Sequence, residues 1–206
     1  MLLAAVATAA IAEPITLVAF GDSLTQGYGL PVEDGFVPQL QAYLIAQGLD
    51  VTVINAGVSG DTTAGGLARL GWSLTPEVDA VIVALGGNDL LRGIDPASSR
   101  ANLAAILQET SARALPVLLV GMTAPGNFGP DYKTAFDAMY PDLAEHYGTL
   151  LAGSFFDALT AREDREATMA TMMQADGLHP NAEGVAEIVK VLGPQVEALL
   201  ARVPAP

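Results

Sequence analysis

The stretch Ala19-Phe-Gly-Asp-Ser-Leu-Thr-Gln-Gly-Tyr-Gly29 joins an apolar run to a turn rich in glycine. The apolar residues 15–20 predict a strand that ends abruptly at Gly21-Asp-Ser23. Glycine lets the backbone bend sharply at this point and lets a ligand approach closely. Ser23 therefore stands where a nucleophile could act, although Gly, Asp and Ser are also common residues of purely structural turns.

Outward from this stretch, short apolar runs alternate with longer segments of helical period, which is typical of βαβ units. The runs predict strands at residues 15–20, 51–54, 80–85, 116–120 and 150–155. Helices are predicted at residues 35–47, 61–70, 96–114, 131–147, 157–174 and 181–201, with a kink or a break at Pro141. The pattern predicts an α/β fold: one domain, residues 13–206, built as a three-layer α/β/α sandwich around about five parallel strands.

The composition of the chain disfavours some classes of partner and excludes some kinds of chemistry. The chain has 206 residues, of which 51% are hydrophobic and 16% charged, as in globular proteins. Its net charge of −14 disfavours nucleic acid or an anionic membrane surface as a partner, because both would be repelled. The absence of cysteine excludes disulfides, a thiol nucleophile and cysteine metal ligands.

Residues 1–12 form an apolar, alanine-rich run that ends in Ala10-Ile-Ala12, a small-x-small pattern. This pattern predicts a signal peptide, with Glu13 as the first mature residue and an exported, periplasmic or secreted product. The run is shorter than the roughly 20 apolar residues that span a bilayer, so no stable membrane anchor is expected. It lacks the usual positive charge, which leaves open a start further upstream or an N-terminal helix.

Four polar clusters lie at the ends of predicted elements. Three follow strands, and because parallel strands end at one edge of a sheet, we expect them to meet there. The fourth precedes the last helix. The clusters are Gly21-Asp-Ser23, Gly57-Val-Ser-Gly-Asp61, Gly86-Gly-Asn-Asp89 and Asp176-Gly-Leu-His-Pro-Asn181.

A serine nucleophile needs a base, and the chain contains two histidines. His146 lies in a helical segment without turn residues, which favours an ordinary histidine. His179 lies in a loop bounded by Gly and Pro, three residues after Asp176, so a tight turn can bring the carboxylate to one ring nitrogen. The alternative is that Asp176 caps the following helix and His179 is a chance neighbour.

Acyl transfer also needs donors for an oxyanion. The backbone N–H groups of Ser23 and Gly60 and the side-chain amide of Asn88 can supply three, although Gly60 and Asn88 are also common in turns. Asp22, Asp61 and Asp89 are interpreted as residues that hold the loops by hydrogen bonds.

Taken together, the four clusters resemble the sequence blocks of the SGNH (GDSL-type) hydrolases, in particular the bacterial periplasmic thioesterase I/lysophospholipase/arylesterase subgroup. The resemblance implies a flavodoxin-like fold and a serine hydrolase of aryl esters, acyl thioesters or lysophospholipids, with no cofactor or metal. It also implies a triad of Ser23, Asp176 and His179 and an oxyanion hole formed by Ser23, Gly60 and Asn88. The loop at residues 123–129 resembles the substrate loop of that subgroup. Pro125, Asn127 and Phe128 of this loop, together with Leu90, are therefore expected to bind substrate.

Two alternative functions are also consistent with the sequence. A carbohydrate O-acetylesterase can use the same scaffold, and Gly-rich turns with several aspartates can form a phosphate or Mg²⁺ site. The second reading is weakened because the chain has no Gly-x-x-x-x-Gly-Lys-Ser/Thr loop. The acyl donor and the oligomeric state are not determined by the sequence.

Overall fold

The computed structural model describes residues 13–204, so the predicted signal peptide at residues 1–12 lies outside the described residues. Within them, five parallel strands form one sheet in the order β2-β1-β3-β4-β5. The strands are β1 (Ile15–Gly21), β2 (Val51–Gly57), β3 (Ala80–Ala84), β4 (Val117–Gly121) and β5 (Leu150–Ser154). β1 lies between β2 and β3, so the turn after β1 stands beside the turns after both neighbours.

Helices cover both faces of the sheet and complete the predicted three-layer α/β/α sandwich. α2, α7, α8 and α9 contribute buried side chains to one core layer, and α3, α5 and α6 contribute to the other. The helices are α1 (Ser23–Gln26), α2 (Phe36–Ala46), α3 (Thr63–Ser73), α4 (Gly87–Leu91), α5 (Pro96–Ala112), α6 (Pro130–Tyr147), α7 (Asp157–Thr160), α8 (Arg165–Met172) and α9 (Ala182–Leu200). Two 3₁₀ turns are present, Val32–Asp34 and Gly126–Phe128.

Alternation along the strands divides the core between the two layers. In β1, Leu17 and Ala19 face one layer, whereas Val18 and Phe20 face the other. Every residue of β3 and β4 is buried. These continuous apolar runs are what a parallel strand covered on both faces requires.

Polar side chains start three of the long helices. The hydroxyl of Thr62 accepts a hydrogen bond from the Gly65 N–H at 3.2 Å, and the Asn181 amide oxygen accepts from the Gly184 N–H at 3.0 Å. Asp95 caps α5 directly before Pro96. Each cap satisfies an N–H that has no partner within its helix, which sets where these helices begin.

The segment 157–174 is predicted to be helical, and it is not one continuous helix. The structure has two helices, α7 and α8, because the Asp164 carboxylate accepts from the Ala167 N–H at 2.9 Å and begins a new helix there. Before α7, the Asp157 carboxylate accepts from the Ser154 N–H at 2.8 Å and turns the chain away from β5.

Pro141 does not divide the segment 131–147 into two helices. α6 is one helix with Pro141 inside it, on the solvent side. Phe136, Met139, Tyr140 and Leu143 bury the opposite face against the sheet. This packing offsets the hydrogen bond that proline cannot donate. The short helices α1 and α4, read from the sequence as turns, are single helical turns at the ends of β1 and β3.

Two glycines of α3 allow a matched test of packing. A Cβ at Gly66 would lie 2.4 Å from Leu85 Cδ1, whereas a Cβ at Gly71 would meet nothing within 4 Å. We expect Gly66→Ala to lower the free energy of unfolding by about 1–3 kcal/mol through overpacking. Gly71→Ala should raise it by about 0.5–1 kcal/mol, because alanine favours the helix. Urea unfolding of both variants measures the difference, and two equal shifts would contradict the packing described for α3.

Candidate active site

Ser23 is the first residue of α1, directly after the end of β1. Asp22 caps α1 by accepting from the Leu24 N–H at 3.0 Å. Only glycine fits at position 21, because a Cβ there would lie 2.0 Å from Thr25 Oγ1 and 2.8 Å from the Ala84 carbonyl oxygen. The close approach of β1, α1 and β3 therefore places the Ser23 hydroxyl at the carboxyl edge of the sheet.

His179 joins Ser23 and Asp176. Its Nε2 lies 2.9 Å from Ser23 Oγ, and its Nδ1 lies 2.6 Å from Asp176 Oδ2. Hydrogen bonds lower the pKa of Asp176 to about 2, first from the His179 ring and then from the backbone N–H groups of His179 and Leu178. An ionised carboxylate accepts hydrogen bonds only, so it favours the tautomer with the proton on Nδ1. Nε2 is then free to accept the Ser23 proton.

The predicted oxyanion donors lie on the two neighbouring strand ends. Gly60 follows β2 with a φ of 83°, a conformation that favours glycine, and its carbonyl accepts from Arg92 Nη2 at 2.8 Å. Asn88 lies in α4, after β3, with its Nδ2 at 3.4 Å from Asp22 Oδ2. Gly60 and Asn88 line the same cavity as Ser23 and His179. His146 lies elsewhere, on α6 beside Tyr147.

The other two aspartates of the clusters hold loops together. Buried Asp89 accepts from the Thr63 N–H at 2.8 Å, the Thr63 hydroxyl at 2.6 Å and the Ser99 hydroxyl at 2.9 Å. Asp61 forms an ion pair with Arg69. Among residues 13–204, no three or more His, Asp or Glu side chains are grouped so that they could hold a metal ion.

A cavity of about 790 Å³ opens at the Ser23 hydroxyl. One wall comes from the nucleophile loop, α4 and the loop after β4. Residues 156–178 supply another part of the lining, in which Thr160, Arg162, Arg165 and Thr168 accompany apolar side chains. These apolar side chains are Phe156, Leu159, Met169, Met173 and Leu178. None of these five residues was predicted from the sequence to bind substrate, because apolar side chains in this segment do not differ from those of a protein core.

Of the four residues expected to bind substrate, two line the cavity and two do not. Leu90 and Pro125 line the cavity. In the described part of the chain, Asn127 and Phe128 are not among the lining residues. The ring of Phe128 lies 5.0 Å from that of Tyr132 on α6, and it fills the space beside Gly93. The 3₁₀ turn Gly126–Phe128 therefore packs against α6 and not into the cavity.

The family model described as "GDSL-like Lipase/Acylhydrolase family" matches residues 19–186. The chain belongs to this family. It is 40% identical over 186 residues to esterase TesA of Pseudomonas aeruginosa, with 90% of this chain and 89% of TesA covered. It is 34% identical over 186 residues to thioesterase 1/protease 1/lysophospholipase L1 of Escherichia coli K12, covering 90% of this chain and 85% of that protein.

A solved structure gives the same assignment. The SGNH-hydrolase family esterase AlinE4 matches with a TM-score of 0.73 and 41% identity, over 95% of this chain and 100% of that chain. The family resemblance inferred from the four clusters is confirmed, and so is the α/β fold. This GDSL-like hydrolase is thus a serine enzyme that acts on ester bonds.

Asp22 is the second carboxyl group at the site, besides Asp176, whose pKa is shifted. Its side chain is 2% exposed, and burial raises its pKa from 3.8 to about 6 because desolvation penalises the charged form. The hydrogen bond from the Leu24 N–H and the nearby His179 and Asn88 lower the pKa only in part.

The raised pKa of Asp22 predicts a pH dependence of stability. Between about pH 4 and 6 the folded hydrolase binds more protons at this site than the unfolded chain, so its free energy of unfolding falls as the pH rises. The loss should be on the order of 2–3 kcal/mol and absent from Asp22→Asn. Urea unfolding at steps from pH 4 to 7 measures it, and parallel curves for the two proteins would contradict the prediction. Asp176 does not interfere, because its stabilising contribution is lost only as the pH falls from about 4 to about 2.

Proposed function

We propose that this GDSL-like hydrolase cleaves acyl esters and thioesters through a Ser23–His179–Asp176 triad and a covalent acyl-enzyme. The observation that carries the proposal is the continuous pair of contacts at the cavity, 2.9 Å from Ser23 Oγ to His179 Nε2 and 2.6 Å from His179 Nδ1 to Asp176 Oδ2. These distances lie within the reach of a nucleophile, a base and an orienting carboxylate.

Acylation begins when Ser23 Oγ attacks the substrate carbonyl carbon and its proton passes to His179 Nε2. The tetrahedral oxyanion is stabilised by the Ser23 and Gly60 N–H groups and the Asn88 amide. Its collapse breaks the bond to the leaving alcohol or thiol, which takes the proton from His179. Asp176 remains ionised and stabilises the imidazolium while it exists.

Deacylation repeats these steps with water as the nucleophile. His179 takes a proton from the water molecule, whose oxygen attacks the acyl carbon. The second tetrahedral intermediate uses the same donors and then expels Ser23, which recovers its proton from His179. The products are a carboxylic acid and the free enzyme.

The cavity supports an acyl chain longer than acetyl as the preferred substrate. Apolar side chains of Leu90, Pro125, Leu159 and Met169 border the space next to Ser23. An acyl chain buried there gains about 0.8 kcal/mol for each methylene removed from water. The two relatives are named as an esterase and a thioesterase/protease/lysophospholipase, which supports acyl esters and thioesters as substrates.

We also propose that the enzyme is exported as a mature single domain beginning at Glu13, which the apolar run at residues 1–12 supports. Within residues 13–204, no helix has the length and apolar character needed to cross a membrane.

Labelling by a serine-directed fluorophosphonate tests the mechanism directly. We expect one label on Ser23, located by mass spectrometry, and none in Ser23→Ala or His179→Ala, because the reagent needs the activated hydroxyl. Ester hydrolysis should persist in EDTA. A label on another residue, an unlabelled folded protein, or loss of activity in EDTA would contradict the triad.

A series of p-nitrophenyl esters tests the substrate class. We expect kcat/KM to rise by about tenfold or more from acetate to a medium-length acyl chain, because each methylene enters the apolar cavity. Met169→Trp should reduce this gain by filling the cavity, whereas Val191→Trp, at an exposed position on α9 outside the lining, should not. Turnover confined to acetyl esters would replace this proposal with a carbohydrate O-acetylesterase.

A further inference from the structure

Gln174 links the two loops that carry the nucleophile and the base. Its half-buried side chain lies directly before the Asp176–His179 loop. Nε2 donates to the Tyr28 carbonyl at 2.8 Å and to the Pro180 carbonyl at 3.0 Å. An amide nitrogen has two hydrogens, so one side chain satisfies both carbonyls. The first belongs to the nucleophile stretch and the second follows His179.

The histidine loop is closed at its base by its own backbone. The Gln174 N–H donates to the His179 carbonyl at 2.8 Å, and the Asn181 N–H donates to the Met172 carbonyl at 2.9 Å. Met173 and Pro180 form an isolated antiparallel bridge. The tip of the loop, from Asp176 to Leu178, is exposed. These contacts hold Asp176 and His179 to each other but do not reach Ser23.

Tyr28 and Gly29 of the nucleophile stretch contact the histidine loop. The Tyr28 N–H donates to the Ser23 carbonyl at 3.1 Å, and the Tyr28 ring lies 4.8 Å from the His179 ring. Gly29 has a φ of 76°, and a Cβ there would stand 2.2 Å from Gln174 Oε1. The glycine therefore leaves the space that the Gln174 amide occupies.

We propose that Gln174 is a positioning residue that sets the separation of Ser23 Oγ and His179 Nε2, an inference that rests on the triad proposed above. The Gln174 amide holds the Tyr28 carbonyl, five residues after Ser23, in a fixed position relative to the Pro180 carbonyl, which directly follows His179. A displacement of about 1 Å between reacting groups costs about 10²-fold in rate. Loss of the two donors should therefore slow chemistry without altering the cavity that binds the acyl chain.

Gln174→Met tests the proposal because methionine has the same length and no hydrogen to donate. Gln195→Met is the matched control, since Gln195 Nε2 bonds only a carbonyl within the exposed face of α9, 3.2 Å away. We expect kcat and the rate of fluorophosphonate labelling of Ser23 to fall about 10- to 100-fold in Gln174→Met, with KM within about threefold of wild type. The control should match wild type.

A proton resonance separates positioning from simple loss of structure. The low-field ¹H signal of His179 Nδ1–H reports the bond to Asp176, which lies inside the histidine loop. It should persist in Gln174→Met while labelling slows. Labelling within about twofold of wild type, or a loss of rate that follows loss of this signal, would overturn the proposal. If wild type is not labelled at Ser23, the triad itself fails and the inference falls with it.

Gly29→Ala approaches the same contact from the other loop and serves if Gln174→Met does not fold. The added Cβ must push the Gln174 amide away, so the same slowing is expected. Gly48→Ala has a similar φ of 83° with nothing within 4 Å of the new Cβ, and it measures the cost of the backbone conformation alone. Equal labelling rates for the two alanine variants would count against a positioning role.

Discussion

The guanidinium of Arg69 holds together the strand ends on which the site is built. It donates to the Gly21 carbonyl at 2.8 Å and to the Ala56 carbonyl at 2.9 Å, which are the ends of β1 and β2. It also pairs with Asp61 and lies over the Phe20 ring, 4.2 Å from its centre. Carbonyls that leave a sheet need partners, and a planar cation with several donors can satisfy two strands at once. The turn that presents Ser23 depends on this junction.

Asp89 and Asp22 are buried carboxyl groups that lie after neighbouring strands and differ in their hydrogen-bond partners. Asp89 accepts three hydrogen bonds, which join α4 to α3 and α5. Asp22 is equally buried but receives one backbone N–H and a longer contact from Asn88. Burial raises its pKa to about 6, and these contacts lower the pKa only in part. The burial of Asp22 therefore favours the folded state more at low pH, where its carboxyl group is protonated.

One C-terminal segment contributes to both the proposed triad and the proposed acyl site. Residues 154–181 supply part of the cavity lining and the His179 and Asp176 of the proposed triad. Ser23 stands 156 residues before His179, at the start of α1 directly after β1. Gln174 lies where this segment returns to the nucleophile loop.

By itself, the sequence determined the fold class and the polar residues Ser23, Gly60, Asn88 and His179, which meet at the cavity. Short apolar runs, segments of helical period and turns rich in glycine reflect local steric and hydrogen-bonding preferences, which can be predicted from the sequence. Only the tertiary structure decided that α6 continues past Pro141, that Phe128 packs on α6, and that Asp22 is desolvated. It alone showed the Gln174 bridge. Each of these depends on which distant surfaces come into contact, and no local pattern contains that information.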